Sequence, residues 1–364
     1  MKVRIIHAAD FHLDSPFEGL GTEKASIRRS EQRALLSRLV SEARRREADI
    51  LLLAGDLLDS TSAYAETGRA LAEALAAVRI PVFIAPGNHD WYSRRSPYAR
   101  LPFSENVHIF RTPKLESVLL PALGVRVWGA GYTESSCPAL LRGFHAPAVE
   151  GITNILVLHA ELGRADSPYC PVTESELAQS GMRCAALGHI HAASGLRRAG
   201  TCYYGWPGCP EGRGFDECGE KGIWQVDIDG EAVSAEFIPL AARRYEKLCV
   251  PAGADPLAAI RAALPENTAE DIYKIVLTGE SAAAADLAYL HQALDGGFFS
   301  LTLEDETCPP VDLWRRAAED SLAGRFLRRM QRRIDETSDE KEKQMLLRAV
   351  RCGIAALEGW EVRT

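Results

Sequence analysis

The chain has 364 residues, of which 46% are hydrophobic and 25% charged, and a net charge of −8. That length predicts two or three domains, and no apolar run reaches the roughly 18 residues needed to cross a bilayer. The acidic balance counts against a protein that coats nucleic acid by bulk attraction, so a polyanion has to be met by local basic patches, bound metal or a partner subunit.

Along the chain, residues 3–8 are predicted as a strand rather than a signal peptide, since the apolar stretch is short. Residues 27–46 follow as an amphipathic helix with Leu35, Leu36, Leu39, Val40 and Ala43 on one side. The near-continuous apolar run at 50–54 has the pattern of a strand buried on both faces. An Ala/Leu-rich helix at 63–77 and a third strand at 81–85 complete a β-α-β-α-β order, which implies a parallel sheet with right-handed crossovers. Further strands are expected at 125–129, 154–159, 184–188, 201–204, 223–228 and 232–238, the last two joined at Asp229-Gly230, a two-residue hairpin signal.

After about residue 239 the pattern changes. Segments 245–250, 256–263, 272–277, 282–294 and 298–303 read as β-α-β-α-β, a small separate α+β unit that ends at Cys308-Pro309-Pro310. The remainder is helical and Arg-rich, with Leu322, Phe326 and Met330 on one helix. Thr337 and Glu340 are expected to form a capping box opening a second helix, whose stripe is Leu346, Val350, Gly353 and Leu357. The expected domains are therefore 1–239, 240–308 and 309–364.

The nine cysteines, an odd number without C-x-x-C pairs, predict free thiols in a reducing compartment, and hence a cytoplasmic chain. Cys202, Cys209 and Cys218 lie close together but lack the tight pairs usual for zinc, so ordinary thiols are the reading there.

Five polar motifs follow apolar runs: Asp10-Phe11-His12, Gly55-Asp56, Gly87-Asn88-His89-Asp90, His159 and Gly188-His189-Ile190-His191. In open α/β sheets ligands bind at the carboxyl ends of strands, so all five are expected at one edge. Five of the nine histidines lie in these motifs, whereas His7, His108, His145 and His291 lack such context and read as structural or surface residues. Two Asp, four His and one Asn amount to seven O/N ligands, enough for two divalent ions sharing a carboxylate. Two carboxylates leave such a pair with surplus positive charge, which attracts a phosphodiester and polarises water. The absence of thiolate favours manganese, with iron or zinc as alternatives, over calcium.

These motifs together resemble the full set of the calcineurin-like metallophosphoesterases over about residues 1–240. The run Asp10-Phe11-His12-Leu13-Asp14-Ser15-Pro16-Phe17 is similar to the DNA repair exonuclease branch, of the bacterial SbcD and YhaO type. So are Gly55-Asp56-Leu57-Leu58-Asp59, and the stretch from Trp206-Pro207-Gly208 to Gly219-Glu220-Lys221-Gly222. The resemblance implies an α/β fold, an αββα sandwich core with a small α+β capping domain at 240–308 that helps position DNA and a helical C-terminal tail. It implies one metal on Asp10, His12, Asp56 and His191, and another on Asp56, Asn88, His159 and His189, with Asp56 bridging. His89 would bind no metal and would protonate the leaving oxygen or stabilise the phosphorane. Asp59 stands where several members of the superfamily carry a carboxylate that orients this imidazole, and where archaeal and eukaryotic relatives of the branch often carry His. A turn residue capping the helix from Ala63 is the other reading of Asp59.

The resemblance further implies that the last helices dock on an SMC-like coiled-coil ATPase of the SbcC/YhaN type; packing back onto the chain's own body is the alternative. A membrane partner is not expected, and a homodimer stays open. Basic clusters occur at 44–46, 94–95, 197–198, 243–244 and 328–333. Arg94 and Arg95 are the best candidates for DNA contact because they follow the Asn88-His89 motif. Their neighbours Trp91 and Tyr92 either stack on a base or pack the loop. The expected activity is that of a metal-dependent DNA exonuclease or phosphodiesterase. Competing readings are a cyclic-nucleotide phosphodiesterase or phosphomonoesterase and, in another class, a non-catalytic scaffold, which the complete ligand set disfavours.

Overall fold

In the computed structural model, which describes residues 2–62, 64–164, 166–281 and 284–357, the chain divides into two units, Met1–Arg244 and Tyr245–Thr364. The first is a mixed α/β unit with two six-stranded sheets. In one, β1 (Lys2–Ala8), β2 (Ile50–Leu53), β3 (Val82–Ile84) and β4 (Val107–Ile109) run parallel. The other is built from β5 (Glu116–Leu120), β6 (Val125–Gly129), β7 (Thr153–His159), β8 (Cys184–Gly188), β9 (Arg197–Ala199) and β10 (Cys202–Gly205). The hairpin β11 (Gly222–Asp229) and β12 (Ala232–Pro239) returns to the first sheet, β11 pairing antiparallel with β1.

Side-chain alternation sets the layers. Ile5, Ile50, Leu52 and Phe83 from the first sheet share one buried cluster with Val125, Val127, Ile155 and Val157 from the second. Their neighbours Ile6, Leu51, Leu53, Val82 and Ile84 point the other way, onto α1 (Thr22–Arg45) and α2 (Ala65–Val78). Successive strand residues face opposite sides, so β2, covered on both, is apolar at every position. The outer face of the second sheet is closed by a third cluster that includes Leu156, Leu158, Leu187, Tyr132 and Leu177, the last on α4 (Glu174–Gln179). A four-residue helix, α3 (Pro97–Arg100), lies between β3 and β4.

Two departures from the expected elements have clear causes. Helix α1 starts at Thr22 rather than 27, and its first turns bury Arg28 and Gln32, polar residues invisible to a search for apolar periodicity. Arg28 is fully buried because its guanidinium bonds Glu211 (2.6 Å), Glu31 (2.8 Å) and the Gly212 carbonyl (3.0 Å). Strands β4, β5 and β9 were not expected from the sequence; β5 and β9 are largely exposed and carry no strong alternation. Helix α2 begins at Ala65; Ala63, where a helix start was expected, lies outside the described residues.

In the second unit β13 (Tyr245–Pro251), β14 (Ile272–Thr278) and β15 (Ser300–Asp305) form a parallel sheet, with α5 (Pro256–Ala263) and α6 (Leu287–Ala293) as crossovers. Helix α6 is shorter than the expected 282–294: Asp286 caps it through Tyr289 N at 2.9 Å, and residues 282 and 283 lie outside the described residues. After α7 (Val311–Arg315), helices α8 (Leu322–Glu336) and α9 (Glu340–Leu357) bury Leu327, Met330, Leu346, Val350 and Ile354 against one another. Leu322 is 69% exposed, so the buried stripe of α8 runs through Leu327 rather than Leu322. The capping box at Thr337 does not form: Glu340 is the first helical residue, and the Asp339 carboxylate accepts from Lys341 N at 2.9 Å. The helix pair is tied to the end of β15. The buried Arg351 bonds Thr307 Oγ1 and lies 3.4 Å from Asp305, while Arg348 donates to the Asp305 carbonyl at 2.9 Å. Among the described residues no helix is long and apolar enough to cross a membrane.

Candidate metal centre

The carboxyl ends of β1, β2, β3, β7 and β8 come from both sheets and deliver their motifs to one place. Asp10 and His12 follow β1, Asp56 follows β2, Asn88 and His89 follow β3, His159 ends β7, and His189 and His191 follow β8. The chain turns sharply at these ends: Asp10, His12, Asp56 and His189 all have positive φ, between 43° and 96°. Non-glycine residues in that region cost energy and cluster where a side chain must be aimed for function. Hydrogen bonds hold the turns in place. Both Asp10 carboxylate oxygens accept from His189 N at 3.1 Å, and Asp56 Oδ1 accepts from His89 N at 2.9 Å. Gln32 reaches from α1 to donate to the His12 carbonyl at 2.9 Å.

Asp56 Oδ2 lies 3.6 Å from His12 Nε2 and 3.4 Å from His159 Nε2, so one carboxylate oxygen faces ligands on two sides. On the first side, His12 Nε2 and His191 Nε2 are 3.2 Å apart, with Asp10 Oδ1 3.9 Å from the latter. On the second, Asn88 Oδ1 lies 2.9 Å from His159 Nε2 and 3.2 Å from His189 Nδ1. Asp10, His12 and His191 form one group with metal-ligating spacing, as do Asp10, Asp56 and His159, and His12, Asp56 and His89. All seven residues expected as ligands are thus brought together.

The electrostatics fit a cation pair. Asp10, Asp56, His12 and His159 are each at most 2% exposed. Burial pushes the His12 and His189 imidazoles down to about 4, leaving them neutral with lone pairs to share. Burial raises Asp10 to about 6. His159 is drawn down by burial but held up at about 9 by Asp56 and Asp10, while His159 and His12 keep Asp56 well below the usual carboxylate range despite its own burial. Glu217 and Asp10 also raise His191 against its burial, so the two buried carboxylates stand among four imidazoles and an amide oxygen. Buried charge requires compensation, and mixed O/N donors without thiolate suit manganese, iron or zinc. Asp10, His12, Asp56 and His191 would hold one ion and Asp56, Asn88, His159 and His189 the other.

His89 is exposed, unlike the ligands; its Nδ1 lies 3.1 Å from the Asp59 backbone carbonyl, which accepts the proton there, and Nε2 is left for other partners. The Asp59 carboxylate turns elsewhere, to His12 Nδ1 at 3.1 Å and Arg213 at 3.3 Å. Nor does Asp59 cap α2, whose N-terminus has no side-chain cap; Asp14 instead ties down its start, accepting from Tyr64 N (2.9 Å) and Thr67 Oγ1 (2.5 Å). Arg94 and Arg95 are exposed on the loop after Asp90 and make no ion pair with the described residues. Trp91 and Tyr92 pack into that loop: Trp91 lies against the third cluster and Tyr92 against the first, with Arg111 5.6 Å over its ring. Cys202 and Cys209 are buried free thiols and Cys218 is a half-buried one, and none belongs to a metal-spaced group among the described residues. His7 lies mid-strand and bonds the Leu187 carbonyl at 3.1 Å, a packing role.

Other residues of the site were not foreseen. Asp90 is fully buried and accepts from Leu57 N (2.7 Å), Gly87 N (2.8 Å) and Tyr98 Oη, so it locks the Asp56 turn to the Asn88-His89 turn. Its place at the end of the Gly87-Asn88-His89 motif was the available signal. Arg213 and Glu217 meet His191 and Asp59, and nothing in their local sequence announced it. Gly87 is required by close approach: a Cβ there would lie 2.2 Å from Asp56 Oδ1. Gly87→Ala should therefore push Asp56 aside. Overpacking of about 1–3 kcal/mol corresponds to roughly 10–100-fold in metal affinity, read by titration of the metal-free protein; an unchanged affinity would refute the contact.

This chain belongs to the calcineurin-like phosphoesterase family, which residues 3–193 match, a family of phosphoester hydrolases that use a dinuclear metal site. Proteins it is similar to include the following three. The uncharacterized metallophosphoesterase YhaO of Bacillus subtilis is 31% identical over 64% of this chain and 59% of that protein. The DNA double-strand break repair protein Mre11 of Methanopyrus kandleri is 24% identical over 65% of this chain and 56% of its own. The SbcD component of the nuclease SbcCD of Bacillus subtilis is 29% identical over 32% of this chain and 29% of its own. The chain therefore spans less than two thirds of each relative.

Proposed function

We propose that the chain is a metal-dependent DNA nuclease, an exonuclease in the first instance, that hydrolyses phosphodiester bonds in DNA repair in the cytoplasm, alongside an SMC-like coiled-coil ATPase. The observation that carries the reading is the single Asp56 carboxylate facing two sets of O/N ligands, 3.6 Å from His12 and 3.4 Å from His159. Two similar proteins carry DNA repair or nuclease names, and one is named as a component of a larger assembly, which supports both substrate and partner. Two divalent ions in this site, manganese by preference, would supply positive charge for the phosphate and activate water. The chain's own residues do the rest. His89, its Nδ1–H donating to the Asp59 carbonyl, presents Nε2–H toward the leaving oxygen and gives up the Nε2 proton to it. Arg94 and Arg95, exposed beside the site, meet the DNA backbone as point charges. The unit at 240–308 positions the duplex, and the helices of 309–364 form the partner-binding segment.

End-labelled duplex DNA incubated with manganese should lose nucleotides from its ends, and chelator should stop the reaction. Single-stranded DNA, a cyclic nucleotide and a phosphopeptide run in parallel decide substrate class. Turnover of the last two alone, with DNA left intact, would overturn the nuclease reading.

A further inference from the structure

The glycine-rich stretch between β10 and β11 does more than close the fold. It is anchored through its first half: Trp206 Nε1 donates to the carbonyls of Ala160 (3.1 Å) and Gly188 (3.0 Å), and Glu211 is paired with the buried Arg28 at 2.6 Å. Beyond these anchors it carries Arg213 and Glu217 to the metal centre. Glu217, 5% exposed, sets Oε1 2.7 Å from His191 Nδ1. Arg213 bonds the same carboxylate at 2.7 Å and, with its other terminal nitrogen, Asp59 Oδ1 at 3.3 Å. Asp59 Oδ1 in turn lies 3.1 Å from His12 Nδ1. One guanidinium thus clamps two carboxylates, and each carboxylate stands behind one imidazole.

The proton positions follow. An ionised carboxylate only accepts, so Nδ1 of His191 and Nδ1 of His12 must each donate. Arg213 Nη2 carries two hydrogens and lies 2.7 Å from Glu217 Oε1 and 3.1 Å from His191 Nδ1, the shorter contact being to the carboxylate. With both rings neutral, their Nε2 lone pairs face each other at 3.2 Å, an arrangement relieved by a proton on His191 or by a cation held between them. The second set of ligands has a different backing. His159 Nδ1 bonds the Ala54 carbonyl at 2.8 Å, and His189 turns Nδ1 inward while its ring lies against Tyr169 at 4.8 Å. A carboxylate behind an imidazole raises its strength as a ligand, and removing such a partner costs about 10–100-fold in metal affinity.

We infer that Glu217 and Asp59, clamped by Arg213, are positioning residues that make the position formed by Asp10, His12, Asp56 and His191 the tighter of the two, so that it fills first. This rests on the two-metal reading above. Calorimetric titration of the metal-free full chain with Mn2+ should show two steps. Glu217→Gln keeps an acceptor for His191 but removes its charge, and should weaken the first step by roughly tenfold while sparing the second; Asp59→Asn should act on the same step. Asn88→Ala should remove the second step and spare the first. Nitrogen-15 spectra of the metal-free wild-type chain, which need no variant, should show His191 protonated at Nδ1. A first step unmoved by either substitution, both steps weakened alike, or His191 protonated only at Nε2 overturns the assignment while leaving two-metal binding intact. A wild-type chain that takes up no ion overturns both.

Discussion

Asp56→Ala is expected to lower metal content at both positions together, and with it to remove hydrolysis. The carboxylate is 2% exposed, faces His12 and His159, and accepts the backbone N–H of His89 at 2.9 Å. Removing it strips each ion of a charged ligand and leaves Asp10 as the only carboxylate of the seven-residue ligand set. It also frees the turn carrying Asn88 and His89. Loss of transition-state charge stabilisation on this scale corresponds to at least roughly 10³-fold in rate, about 4 kcal/mol. Elemental analysis of the purified variant is the check, since two ions retained per chain would refute a bridging role. Asp90→Asn offers no substitute test, because Asp90 holds the same two turns through Leu57 N and Gly87 N.

His89→Ala should separate binding from chemistry. The ring is exposed, its Nδ1 is engaged by the Asp59 carbonyl at 3.1 Å, and its edge meets His12 with ring centroids 4.8 Å apart. A residue that delivers a proton in the transition state contributes about 10²–10⁴-fold, roughly 3–5 kcal/mol of barrier. The variant should therefore keep its full metal content and lose turnover by that factor. His89 also belongs to a metal-spaced group with His12 and Asp56, so a variant that loses an ion would reassign it as a ligand. An unchanged rate would remove it from the reaction.

Much of the fold was legible because its inner strands are covered on both sides. Runs such as Ile50–Leu53 and Cys184–Gly188 are apolar throughout, and each stops where a polar motif begins. The exposed strands β5 and β9 were not, since a strand with one wet face and short length carries little pattern. The start of α1 was hidden for another reason: Arg28 and Gln32 are buried polar residues whose burial depends on partners in distant segments. The capping box expected at Thr337 gave way to Asp339, one residue before the helix, because a side chain that close to the first turn reaches the free N–H groups sooner.

The ligand types and their places at strand ends were set by the sequence itself, since each motif is local and its distance from the strand before it is counted in one or two residues. Which groups stand behind those ligands was decided only by the tertiary structure. The Asp59 carboxylate meets His12 across 47 positions and Glu217 meets His191 across 26. No spacing encodes contacts of that kind; they exist because two sheets bring their carboxyl edges together and a loop pinned by a buried Arg28–Glu211 pair lies over the result.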